Sequence, residues 1–147
     1  MYTRFCDFIY ATPRSKFADP HVSVGLVAGD GGCVMWPQLI GYARAKKYLL
    51  TGEVMLAQDA LEMGLITEVI EEDQIDAEVQ QLAEKLRDGA KYAIRWTKTS
   101  INAGLKVMAN SIIDRAAAFE NVTQLMEDHK IALQAFSDKE KPEFKQK

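Results

Sequence analysis

The sequence predicts an α/β chain in two parts, short strands punctuated by turns up to about residue 70 and a helical region from residue 71 to the C-terminus. Three observations carry this. Before residue 71 the apolar runs are short and are broken by Gly and Pro. Beyond Glu71, apolar residues recur at helical spacing over whole segments. A composition of 48% hydrophobic and 27% charged residues over 147 positions can fill one globular core, which excludes a disordered chain.

The elements follow in order. Phe5 to Ala11, FCDFIYA, is apolar on both faces and short, which predicts a strand buried on both sides. Such a strand needs neighbours on both edges, and only four residues precede it. A later segment or another chain must cover it, or the sequence begins within a domain; the last is the favoured reading. Residues 17 to 32, FADPHVSVGLVAGDGG, set His21 after Pro20 at the start of a further apolar run and close on Gly29-Asp30-Gly31-Gly32. Those glycines predict a tight turn with positive φ that enters a helix near CVMWPQLIG. A phosphate-binding P-loop is excluded, because Cys33 and Val34 stand where it requires Lys and Ser or Thr, and the spacing does not fit G-x-G-x-x-G.

Residues 42 to 50, YARAKKYLL, predict a helix with Tyr42, Ala45 and Leu49 on one face and a stop at Thr51-Gly52. AQDALEMG predicts a short helix capped by Gly64, and LITEVI a short strand. Ile75, Val79, Leu82 and Leu86 mark the next helix, with Asp73 as N-cap and Gly89 as the stop. A second long helix is expected from Ala90 to Leu105, with Ile94, Thr97, Ile101 and Leu105 on one face. Ser111 with Asp114 then opens a third, carrying Ile112, Ala116, Phe119, Val122 and Met126. With no catalytic residue among them, these three helices predict a packing layer whose Met and aromatic residues belong to the core.

Charge narrows the function. A net charge of -3 and a pI near 5.4 argue against nucleic-acid and membrane-surface partners. No uncharged stretch approaches the roughly 20 apolar residues of a membrane span, and MYTRFCDF shows no signal-peptide pattern, so the expected location is the cytoplasm. Cys6 and Cys33 form no C-x-x-C and are read as two small buried hydrophobes, not as a disulfide or metal site. His21 has two readings that composition does not separate: an imidazole hydrogen-bonded near a strand start, or a base poised to move protons near neutral pH.

The segment FADPHVSVGLVAGDGG…WPQLIGYARAKKYLLTGEVMLAQDALEMGLITEVI resembles the enoyl-CoA hydratase/isomerase (crotonase) superfamily. The order is that family's F-x-x-P-E-x-x-x-G-L-x-P-x-x-G, L-P-x-x-x-G, R-A-x-x-x-L-L-T-G and A-x-x-A-x-x-x-G-L-x-x-x-V. CDFIYA is similar to its inner strand and MEDHKIALQAFSDKEKPEF to its closing helix, so the resemblance spans essentially the whole chain and fits the C-terminal half of a member about twice as long. It implies part of a ββα spiral over residues 1–70 and a helical trimerisation region over residues 71–147, with homotrimers or their multiples expected and dimers next.

The resemblance also implies an acyl-CoA thioester as the small-molecule partner, with no cofactor beyond the coenzyme A that the substrate carries, and no metal. The two backbone amides that hold the family's enolate lie upstream of CDFIYA and are not expected in this chain. One of its two acid/base glutamates lies upstream as well. The other falls in P-E, where this sequence has His21, an exchange that keeps a proton-transfer group but changes its charge and length. Asp30, in the turn that faces the acyl group, is the second candidate catalytic residue. Pro20 and Gly29 are expected to line the acyl site, and Phe136 and Lys139 to meet the adenine and phosphates of CoA. Two functions follow: an enoyl-CoA hydratase/isomerase-like protein that is incomplete and lacks the oxyanion hole, or a non-catalytic oligomerisation or interaction module derived from one.

Overall fold

The computed structural model describes residues 6–144, so Phe5 of the first expected strand lies outside the described residues. Among the described residues, regular strand is confined to β1 (Tyr10–Ala11), β2 (Lys16–Phe17), β3 (Met55–Leu56) and β4 (Glu68–Val69). β1 and β4 pair in parallel, Tyr10 opposite Glu68 and Ala11 opposite Val69, while β2 and β3 pair antiparallel. The long doubly buried strand is therefore corrected: among its described residues only the last two are strand, the later LITEVI segment covers one edge, and Phe8 is exposed.

Six helices carry the rest: α1 (Gly32–Ile40), α2 (Tyr42–Thr51), α3 (Ala57–Met63), α4 (Ile75–Asp88), α5 (Lys91–Gln124) and α6 (Glu127–Asp138). Gly52 and Gly64 close α2 and α3 in the left-handed conformation, as their places in the sequence predict. The buried face of α2 is shifted by comparison with the expected one. Ala45 and Tyr48 are buried and Leu49 packs against the core, whereas Tyr42 at the first turn is exposed. α4 starts without Asp73 as its cap, because the Glu71 carbonyl accepts from both the Gln74 and Ile75 N–H groups and closes the first turn through the backbone.

The expected break between residues 105 and 111 is absent, and α5 is one helix of 34 residues. Ser111 does not cap a new helix, since its hydroxyl donates back to the Met108 carbonyl, and Gly104 lies in open space, where nothing forces the chain to turn.

The core lies between the strands and the first three helices. Ala11, Trp36, Ile40, Ala45, Met55 and Leu65 are among its buried members, and the Trp36 and Tyr48 rings meet at 5.8 Å between centroids. Packing α1, α2 and α3 against the strands removes these side chains from water, and that burial is the hydrophobic contribution to stability. The helices beyond residue 71 differ from the expected packing layer: α4 buries no residue fully, α5 only Ala116 and α6 only Ala132. Trp96, Ile101, Phe119 and Val122 are exposed on α5. Among the described residues, no helix is long and apolar enough to cross a membrane.

What positions the site is the segment between β2 and α1. His21–Val24 form one 3-10 turn, not the expected strand, and Gly25 ends it at φ 70° with its N–H donating to the Val22 carbonyl. The first turn of α6 lies directly on Gly25, so that a Cβ there would come 2.8 Å from the Asp128 carbonyl carbon and the His129 nitrogen. Both the positive φ and the close approach require glycine. Gly25→Ala is expected to cost about 1–3 kcal/mol of stability, read as a lower urea midpoint. Gly104→Ala, in an open helical position, should instead be neutral or stabilising by up to about 1 kcal/mol. Equal midpoints for the two variants would contradict this packing of α6.

Candidate functional site

The Asp19-Pro20-His21 tripeptide builds the centre of the site. Pro20, with φ -86° and ψ 4°, turns the chain so that the Asp19 carboxylate folds back over the residue two positions on. Asp19 Oδ1 accepts from the backbone N–H of His21 at 3.4 Å and meets the ring Nδ1 at 2.5 Å. Asp19 is 1% exposed and is the one charged residue classed as buried among the described residues. Pro20 itself is exposed.

The other edge of His21 points to two more carboxylates. Its Nε2 lies 3.3 Å from Asp30 Oδ2 and 3.8 Å from Glu120 Oε1. The approach to Asp30 satisfies distance but not hydrogen-bond direction: both Asp30 carboxylate oxygens are shielded from solvent, yet neither has a hydrogen-bond partner among the described residues. A carboxylate so placed, next to a ring nitrogen, is an unfilled acceptor that a ligand or a proton would satisfy.

Asp30 reaches this position through the turn that the glycines make. Gly31 has φ 123° and precedes the first residue of α1, as the sequence predicts for this segment. Gly29 does something else. It is buried against α5, and a Cβ there would come 2.6 Å from the Ala116 carbonyl oxygen, with the Glu120 side chain closer still. Its missing side chain lets α5 press onto the turn and brings Glu120 to His21. One turn further along α5, Thr123 Oγ1 accepts the Val27 N–H at 3.2 Å, and His129 on α6 meets the Val24 carbonyl through Nδ1 at 2.7 Å. Helix α5 thus brings side chains to this centre, against the expectation that the three helices between residues 73 and 126 contribute only packing.

Cys33, in the first turn of α1, is partly buried behind the two aspartates. Burial is the main cause that pushes its thiol above the ordinary cysteine value, and the negative charges of Asp19 and Asp30 add to the rise. It is a poor nucleophile in this setting. The reading of the cysteines as buried is corrected for Cys6, which is exposed, while Cys33 is partly buried.

His21 and Asp30, the two candidate catalytic residues, are therefore brought together, and Gly29 adjoins them. Phe136 and Lys139 are not at this centre: both stand exposed at the C-terminal end of α6, Phe136 roughly 10 Å and the capping Lys139 roughly 15 Å along the helix axis from His129 at 1.5 Å per residue. Sequence reasoning missed Asp19 and Glu120. The signal for Asp19 was present in D-P-H, a pattern that turns a carboxylate back onto the residue two positions later. Asp19, His21 and Asp30 also present donor atoms within 4.8 Å of one another, a spacing that a cation could use, though Asp19 is already committed to Nδ1. The chemistry available without one is proton transfer at Nε2, flanked by a carboxylate with free acceptor capacity.

Short paired strands leading into a helical half, with an imidazole and carboxylates at the join, define a portion of the crotonase fold. Residues 2–147 match the enoyl-CoA hydratase/isomerase family, and the chain belongs to it. It is 32% identical over 143 residues to the crotonyl-CoA hydratase of Syntrophomonas wolfei, covering 95% of this chain and 54% of that protein. It is 36% identical over 109 residues to the short-chain-enoyl-CoA hydratase of Clostridioides difficile, covering 74% of this chain and 70% of the relative. Among solved structures, a carnitinyl-CoA dehydratase from Mycobacterium avium superposes with a TM-score of 0.90 at 27% identity, over 99% of this chain and 58% of that one. The chain thus spans about half the length of several of the proteins it matches.

Proposed function

We propose that the protein formed by this chain binds acyl-CoA thioesters and moves a proton at the acyl group, with His21 and Asp30 as the acid/base pair. The observation that carries the reading is the Asp30 carboxylate, shielded, without a hydrogen-bond partner among the described residues, and 3.3 Å from His21 Nε2. In this reading Pro20 and Gly29 shape the acyl end, while Phe136 and Lys139 offer an exposed ring and cation to the adenine and phosphates. Coenzyme A arrives as part of the substrate and no other cofactor takes part. The cytoplasm, where acyl-CoA pools are found, is the proposed location.

The resemblance puts the oxyanion amides and one acid/base glutamate in segments upstream of Cys6, so this chain is proposed to lack them. Losing a single oxyanion donor costs about 10²–10³ in rate. The 147-residue chain should therefore hydrate crotonyl-CoA more slowly than about 1 s⁻¹, the lower end of ordinary turnover. Titration with crotonyl-CoA should still move the imidazole NMR signals of His21. A faster turnover would overturn the proposed incompleteness; unmoved His21 signals at millimolar ligand would overturn the acyl-CoA reading.

The exposed side chains of Trp96, Ile101, Phe119, Val122 and Phe136 support a second role, as an oligomerisation module, whether or not chemistry remains. Apolar faces of this extent are covered when copies associate, with homotrimers or their multiples proposed first and dimers next. Light scattering coupled to size exclusion should return a mass at a multiple of 16.5 kDa at micromolar concentration; a single species at 16.5 kDa would contradict it.

A further inference from the structure

We propose that Asp19 is a positioning residue that fixes which nitrogen of His21 handles the proton, an inference that rests on the acid/base reading above. A carboxylate accepts hydrogen bonds and donates none, so the 2.5 Å contact from Asp19 Oδ1 requires the proton on Nδ1. In the neutral ring the lone pair is then on Nε2, the atom that faces Asp30 and Glu120. An unrestrained imidazole divides its proton between both nitrogens; here the geometry selects the form whose base points into the site.

The carboxylate is itself held. Asp19 is 1% exposed and lies under the first turn of α1, where a Cβ at Gly32 would collide with its Oδ2. The turn that carries His21 is tied at its other end by the His129 contact to the Val24 carbonyl. Neither partner can therefore swing away without moving α1 or α6. The charged and titratable groups facing the ring are Asp19 before it, Asp30 in the glycine turn, and Glu120 from α5, with the Cys33 thiol beside the two aspartates. Asp19 is the one that meets Nδ1, so its role is separable from theirs. During turnover Nε2 accepts a proton and returns it, while the Nδ1 proton stays shared with Asp19, which stabilises the imidazolium.

The test reads the ring's own proton. The chain has two histidines, so ¹⁵N-labelled imidazole spectra contain two sets of signals, and His129→Gln assigns them. At a pH where the rings are neutral, His21 should show a protonated Nδ1 and an unprotonated Nε2, with a strongly downfield Nδ1–H proton signal. Asp19→Asn should move that proton upfield, because a neutral amide oxygen accepts more weakly than a carboxylate. Asp19→Ala should lose the single tautomer and give a mixture, with the His129 signals unchanged as the control for folding. A His21 that carries its proton on Nε2 in the wild-type chain, an unmoved Nδ1–H signal in Asp19→Asn, or a retained single tautomer in folded Asp19→Ala would each overturn the proposal. Should Asp19→Ala not fold, the wild-type and Asp19→Asn spectra decide. None of these readouts needs substrate, so a chain that ignores crotonyl-CoA would sink the acyl-CoA reading and leave this one standing.

Discussion

The close approach of the Gly29 backbone to helix α5 is the constraint on which the site depends. A side chain at Gly29 would strike the Ala116 carbonyl oxygen and the Glu120 side chain, so α5 could not lie where it does. With glycine there, one helical turn of α5 supplies Glu120 to His21, and the next supplies Thr123 to the Val27 N–H. Residues about a hundred positions apart are joined through one missing methyl group. The aromatic contact between α1 and α2, with Trp36 fully buried against Tyr48, gives the turn a packed base on its other side.

Within that frame the electrostatics divide the labour among similar groups. Three carboxylates surround one imidazole, yet each stands in a different environment. Asp19 is buried and bonded to the ring; Asp30 is shielded and without a hydrogen bond among the described residues; Glu120 is farther off and held on a helix. Residues of one chemical type acquire distinct roles through burial and partner. The exchange of carboxylate for imidazole at position 21, which the resemblance makes visible, is thus accompanied by a neighbouring carboxylate that could not have served a glutamate in the same way. Two carboxylates at 2.5 Å would repel, whereas a ring N–H and a carboxylate attract.

Much of this was legible in the sequence, for physical reasons that differ by element. Helix ends at Gly52 and Gly64 were readable because a positive φ selects glycine, and the glycine turn before α1 for the same reason. Family membership was readable because ordered motifs span the chain. His21 and Asp30 could be paired because both belong to those motifs. Glu120 could not, since a glutamate on an amphipathic helix reads as a solvated face until the helix is docked. The continuity of α5 was equally hidden: Ser111 and Asp114 carry the chemistry of a cap, and only the hydrogen bond from Ser111 back to Met108 shows that the helix runs on. The first strand was overestimated because an apolar run records burial rather than backbone pairing, and of its described residues only Tyr10 and Ala11 find a partner strand.

The central claim is that the chain presents His21 and Asp30 to one acyl group at the join between the glycine turn and α5. A crystal structure of the chain with crotonyl-CoA bound tests it most directly. The expected result has the acyl carbons beside His21 Nε2 and the Asp30 carboxylate, within hydrogen-bond reach directly or through one water, and α5 against Gly29. An acyl group bound elsewhere, or a His21 ring turned to the opposite side of its turn from Asp30, would contradict it.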